Sequence, residues 1–417
     1  MSNATRILLA LVVGLILGIV SADFSPVTAT TLAAIADPIG TLWLHGLRMT
    51  IVPLVVALLI TGIAQTAQAA RAGQMAARTL VGIVGLMSFS AILGAILTPT
   101  FLALFPMPAQ SAAALKAALG TAAAVGTVPP FGDIVRALVP TNPIAAASKD
   151  DILPLMIFTL VLAFAITRLE LEPRRLLTIF FAALADALVI VIGWVLKLAP
   201  IGVFALAYVV GARSGAAAFG ALLHYVLVVS SVGTVVGLFA YPVAVFSGQL
   251  PLGRFARSVA PVQALAISTQ SSLACLPLML QKSEELGVPD STAGLVLPMA
   301  VALLRVTGPA VNLAVALYVA NWFGVTLGPV QWVIAIMVAV LTSMGAVSLP
   351  GQVSFFTSIA PICIAIGAPI EPLALLVAVE TLPDIFRTLG NVQMDVALTT
   401  AVAAKSRDNQ ISQTVNR

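Results

Sequence analysis

The chain has 417 residues, of which 60% are hydrophobic and only 9% charged, with a mean hydropathy of +1.10. That excludes a water-soluble globular protein, in which about a quarter of residues carry charge. The net charge of +4 does not mark a nucleic-acid binder, and the two cysteines (Cys275, Cys363) and two histidines (His45, His224) form neither a disulfide framework nor a metal-ligand motif.

An all-α polytopic membrane protein is expected, with spans of about twenty apolar residues. Span one covers about 5–22 and reads as an uncleaved first helix rather than a signal peptide. Span two covers about 38–66 and contains LRMTIVPLVVALLITGIA. Arg71 and Arg78 follow, then span three, about 79–105. An Ala-, Pro- and Gly-rich connection, 106–130, leads to a fourth region that ends near 167 and is interrupted at Lys149, Asp150 and Asp151. Span five covers about 176–208, with the run APIGVFAL, and span six about 218–247. With the N-terminus in the cytoplasm, the loops holding Arg71/Arg78, Arg168/Arg174/Arg175 and Arg254/Arg257 all fall inside, as does the 406–417 tail. Trp43, Trp194, Trp322 and Trp332 read as interface anchors, and Arg48 as a side chain snorkelling to the headgroups.

After residue 255 the pattern changes. Residues 260–287 are apolar, then polar (STQSS), then apolar, with arms too short to cross. Residues 332–367 repeat this around TSMGAVSLPGQVS. A full span, 290–323, lies between them and another, 371–405, follows. Hairpin, span, hairpin, span reads as an inverted repeat, so the chain is expected to have eight transmembrane helices and two re-entrant hairpins. Paired broken segments of this kind point to a transport site near the midplane. Residues 1–250 then form a scaffold, with span three and part of span six possible members of the other unit, and 251–405 a transport core.

The stretch 371–405 is apolar yet carries Glu380, Asp384, Arg387 and Asp395. Ionisable groups at bilayer depth mark function. At 100° per residue, Glu380, Asp384, Thr388, Asn391 and Asp395 fall within roughly 40° of one line, with Arg387 beside it and Gln393 opposite. An intramembrane aspartyl protease does not fit, because Asp384 and Asp395 are about 16 Å apart along a helix, whereas a proton-sharing dyad needs about 3 Å.

Nearly the whole chain resembles the dicarboxylate/amino acid:cation symporter family, the glutamate transporter family. The motifs are LRMTIVPLVVALLITGIA, VPTNPIAAASKDDILP, APIGVFAL, the hairpin tips STQSSLACLP and SMGAVSLPG, and DIFRTLGNVQMD. The resemblance implies a homotrimer with an elevator-like transport domain, in a bacterial cytoplasmic membrane, importing a small anionic substrate. It implies that Arg387 pairs with a substrate carboxylate, that Asp384 holds an amino group, and that Thr388 and Asn391 orient the substrate. It also implies that Asp395 ligates a sodium ion, and that the tips around Ser271–Ser272 and Val347–Gly351 close over the ligand.

The chain departs from the family where cations bind. The family's Asn-Met-Asp-Gly-Thr run on span seven is LRVTG here, 304–308, and Arg305 sits within it. Glu380, Asp384 and Asp395 against Arg387 sum to −2, and Arg305 brings this to −1. Arg305 is accordingly expected to act as a tethered cation, with Glu380 as a candidate proton carrier and fewer sodium ions than in relatives. An acidic amino acid is the expected cargo. A C4-dicarboxylate is the nearest alternative, and a transport-dead sensor or anion channel is the alternative of another class.

Overall fold

A computed structural model describes residues 3–71, 74–107, 139–215, 217–345 and 351–415. All regular structure among them is helical. The first four helices are α1 (Asn3–Phe24), α2 (Pro26–Arg48), α3 (Ile51–Arg71) and α4 (Gln74–Leu104). The short α5 (Pro143–Ser148) is followed by α6 (Ile152–Arg168), with the expected break between them at 149–151. Next come α7 (Leu171–Lys197), α8 (Ala199–Ser214) and α9 (Ala217–Leu238), the last running on into a π-helical turn, Val243–Ser247. The remaining elements are α10 (Leu252–Thr269), α11 (Ser272–Glu285), α12 (Asp290–Leu303), α13 (Thr307–Phe323), α14 (Pro329–Gly345), α15 (Gly351–Ala365), one turn at Leu373–Leu376 as α16, and α17 (Thr381–Val415).

Four stretches read as continuous spans are jointed, and all four share one sequence feature. Span two is α2 and α3 with a turn at 49–50. Span five is α7 and α8, meeting at Leu198. Span seven is α12 and α13, separated by 304–306, and the stretch 371–405 breaks at 377–380. In each case a proline stands in the first turn of the helix after the joint: Pro53, Pro200, Pro309 and Pro383. Proline lacks the N–H that would bond four residues back and its ring clashes with that carbonyl, so a first turn accommodates it most easily, although Pro38, Pro99, Pro261, Pro277, Pro298 and Pro361 stand inside helices that continue past them.

By length and composition, six helical stretches among the described residues can cross a membrane: Thr5–Phe24, Pro26–Gln68, Gln74–Leu104, Leu171–Lys197, Phe219–Ser247 and Asp290–Phe323. The polar stripe lowers the hydropathy of α17 and keeps it outside this set. The hairpin arms α14 (Pro329–Gly345) and Val353–Ala365 are apolar but shorter.

Two large apolar cores hold most of the helices. One joins α1–α4 and α6–α9 with α13–α15 and the 368–379 stretch. The other joins α10–α12 with α17, the start of α4 and the π-helical turn. Small residues set the closest approaches, as membrane helices require. Gly14 and Gly18 of α1 face α8, and a Cβ on Gly18 would stand 2.3 Å from the Tyr208 carbonyl oxygen. Gly237 and Gly390 pinch α9 against α17, with a Cβ on Gly237 only 2.9 Å from Gly390 Cα.

Three expectations for individual side chains change. Trp43 is buried and donates its indole N–H to the Val195 carbonyl at 3.0 Å, and Trp322 is buried too, so neither is an interface anchor. Arg48 does not merely snorkel: its Nη2 lies 2.9 Å from Asp150 Oδ2 and its Nη1 3.8 Å from Glu371 Oε1.

Candidate functional site

α10 and α11 fold back on each other through a two-residue tip. Gln270 takes a left-handed conformation (φ 49°) and ends α10. Ser271 then caps α11, its hydroxyl accepting from the Ala274 N–H at 3.3 Å. The tip lines a cavity of about 400 Å³. Opposite it stand Asp384, Arg387, Thr388 and Asn391 of α17, and Arg305 from the joint between α12 and α13. Seven of the residues singled out in the sequence therefore meet in one cavity: Ser271, Ser272, Arg305, Asp384, Arg387, Thr388 and Asn391. Of the second hairpin's tip, Val347 lies outside the described residues. Gly351 begins α15.

The polar stripe of 371–405 divides into three parts. Glu380 is not on the α17 cylinder but in the turn before it, its carbonyl accepting from the Asp384 N–H at 2.9 Å. It is 2% exposed and stands behind Arg387 rather than in the cavity. Its Oε1 lies 2.7 Å from Arg387 Nη2, an ionic contact off the line of any N–H, and its Oε2 accepts from the Tyr225 hydroxyl at 3.0 Å. Asp384 flanks the same guanidinium, Oδ1 to Nη1, at 3.4 Å. Arg387 is 3% exposed, so two carboxylates flank its fork, one of them braced by the Tyr225 phenol. A desolvated charge persists only when paired in this way.

Asp395 is the third part. It is fully buried, flanked along α17 by Val392, Met394 and Val396 of the apolar core, and does not line the cavity. Neither carboxylate oxygen has a hydrogen-bond partner among the described residues, although such groups are almost always satisfied. Arg305 is not that partner: it lines the cavity, and its Nη1 donates to Ser354 Oγ at 3.4 Å.

Sequence reasoning missed Thr307. As the first residue of α13 its N–H has no helical acceptor, and it donates to Asn391 Oδ1 at 3.1 Å. Its hydroxyl lies 2.8 Å from the same oxygen and 2.9 Å from the Arg387 carbonyl, with one hydrogen for either. The joint of one broken helix is thus tied to the cavity-facing side of the other. The signal was present in Pro309, two residues beyond Thr307. We expect Thr307→Val to keep the main-chain bond and lose the hydroxyl, about 1 kcal/mol. Uptake assays should show a roughly fivefold rise in KM with little change in maximal rate.

The sequence profile of the Sodium:dicarboxylate symporter family matches residues 4–405. The chain belongs to that family. It is a multi-pass membrane transporter, not an enzyme. It is 28% identical over 407 residues to the proton/glutamate-aspartate symporter of Escherichia coli (strain K12), covering 97% of this chain and 92% of that one. It is 27% identical to the proton/sodium-glutamate symport protein of Bacillus subtilis (strain 168), covering 93% and 89%. It is 28% identical to a C4-dicarboxylate transport protein of Rhodopseudomonas palustris (strain ATCC BAA-98 / CGA009), covering 93% and 84%.

Proposed function

We propose that the protein imports an acidic amino acid, glutamate or aspartate, by symport with protons, or with fewer sodium ions than its relatives use. The observation that carries this is the pairing of Arg387 and Asp384 on one cavity wall. A guanidinium fork suits a side-chain carboxylate, and the neighbouring carboxylate suits an α-ammonium. Thr388 and Asn391 complete the wall, with Ser271 and Ser272 facing it. Asp395, buried with both oxygens unpartnered, is the group proposed to bind the coupling cation, with Glu380 a second candidate for a coupling proton. Arg305 adds a fixed positive charge to the same region.

The architecture that serves this function is eight transmembrane helices with α10/α11 and α14/α15 as re-entrant hairpins. The 251–405 core moves against a scaffold drawn from 1–250, in a homotrimer. A cargo with several charges cannot cross a low-dielectric interior unless cations accompany it, so coupling follows from the same charge count.

Arg305 also favours a second reading. It puts a second guanidinium on the cavity wall, and two guanidinium groups suit the two carboxylates of a C4-dicarboxylate. Labelled aspartate uptake into proteoliposomes, with sodium and proton gradients imposed separately, tests the proposal. Aspartate should accumulate and succinate should compete weakly. Strong uptake of succinate with no competition by aspartate selects the dicarboxylate instead. Absence of substrate-stimulated counterflow would leave a channel or a sensor.

A further inference from the structure

A second cavity, about 740 Å³, opens where the first turns of α4, the π-helical turn and the C-terminal part of α17 converge. Its lining changes character along both helices. On α4 it runs from Gln74 through Ala77 and Arg78 to Val81 and Gly82, about 12 Å along the axis. On α17 it runs from Lys405 through Val402 and Ala401 to Leu398, about 10 Å. The deep ends meet, since a Cβ on Gly82 would stand 3.0 Å from Leu398 Cδ1. Gln74 and Lys405 therefore mark the polar end and Gly82 and Leu398 the apolar end, with Arg78 midway along the α4 side, the two helices traversing the groove in opposite chain directions. Ser247 adds a hydroxyl to the lining. Among the described residues neither Arg78 nor Lys405 takes part in an ion pair.

We propose that this groove binds one anionic phospholipid of the cytoplasmic leaflet, its phosphate between Arg78 and Lys405 and an acyl chain along Val81 and Leu398. The basic end is the end that the distribution of arginines puts inside. Basic pockets between helices on that side suit anionic headgroups. The apolar end separates a lipid from a free phosphate: Val81 is 74% exposed, and only an amphiphile covers it while its charge meets the two cations. A lipid seated here joins α4 to the helix that carries Arg387 and Asn391.

The test uses the full-length protein in nanodiscs of phosphatidylcholine, alone or doped with phosphatidylglycerol, with retained lipid counted by native mass spectrometry. Wild type should retain phosphatidylglycerol over phosphatidylcholine. The Arg78→Gln/Lys405→Gln double variant should lose that preference, with a roughly thirtyfold weaker affinity for two basic groups near the surface, and Arg78→Lys/Lys405→Arg should keep it. A melting temperature raised by phosphatidylglycerol in wild type but not in the Gln variant gives a second readout, and unchanged uptake in phosphatidylcholine shows that the variant is folded. Equal retention by wild type and the Gln variant overturns the proposal. So does displacement of the lipid by millimolar inorganic phosphate with Val81→Gln binding as wild type, which assigns the groove to free phosphate.

Discussion

Replacing Arg387 by alanine should abolish uptake of acidic substrates and also destabilise the protein. The first effect is direct: truncating one member of a buried charge pair costs about 2–5 kcal/mol of binding, at least a thirtyfold loss. The second comes from Glu380, which is 2% exposed and would keep only the Tyr225 hydroxyl as a partner. An uncompensated buried carboxylate costs about 3–5 kcal/mol, which thermal unfolding in detergent would register. The two effects separate in a double variant. Glu380→Gln with Arg387→Ala should recover much of the stability and none of the uptake. Recovery of uptake in that background would show that Arg387 serves the fold and not the substrate.

Arg305→Met should move the cation requirement. The change takes the summed charge of Glu380, Asp384, Arg387, Arg305 and Asp395 from −1 to −2. A unit charge about 8 Å from an anionic substrate, at an effective dielectric constant near 20, is worth about 2 kcal/mol. The variant's kcat/KM for aspartate should fall roughly thirtyfold without sodium and recover in part when sodium is raised. Wild-type uptake should show a sodium Hill slope no greater than one, with a proton gradient sufficient to drive accumulation. A steep sodium dependence in wild type, or an unchanged Arg305→Met variant, would remove Arg305 from the coupling scheme.

The wall of the cavity was legible because polar groups are expensive in an apolar segment and helical spacing then aligns them. Asp384, Thr388 and Asn391 recur at intervals of four and three, and they do share a cavity. Spacing says nothing about where a helix begins. Glu380 has the right phase for the stripe, yet it precedes Thr381, the first residue of α17, and backs Arg387 instead of lining the cavity. Spacing also ignores depth: Asp395 is one turn beyond Asn391 and lies in the core. Part of this information lay in the prolines. Pro53, Pro200, Pro309 and Pro383 each stand in the first turn after a joint, and hydropathy averaged over twenty residues runs through all four. Thr307 escaped notice for the same reason, since its role exists only if a helix starts there.

The bond from Thr307 to Asn391 also sets the polarity of what the cavity will accept. A main-chain N–H can only donate, so the atom that receives it must be the Asn391 oxygen, whichever way the amide is otherwise oriented. That leaves the NH2 group as what Asn391 can offer a ligand. At that point the site can give hydrogens and not take them, so it welcomes a carboxylate or carbonyl and turns away an ammonium. A substrate with one positive and two negative groups is therefore oriented before Asp384 acts, because its amine has nowhere to go on the Asn391 side. Asn391→Asp would keep the tie to Thr307 and reverse that preference, a change of sign rather than of strength.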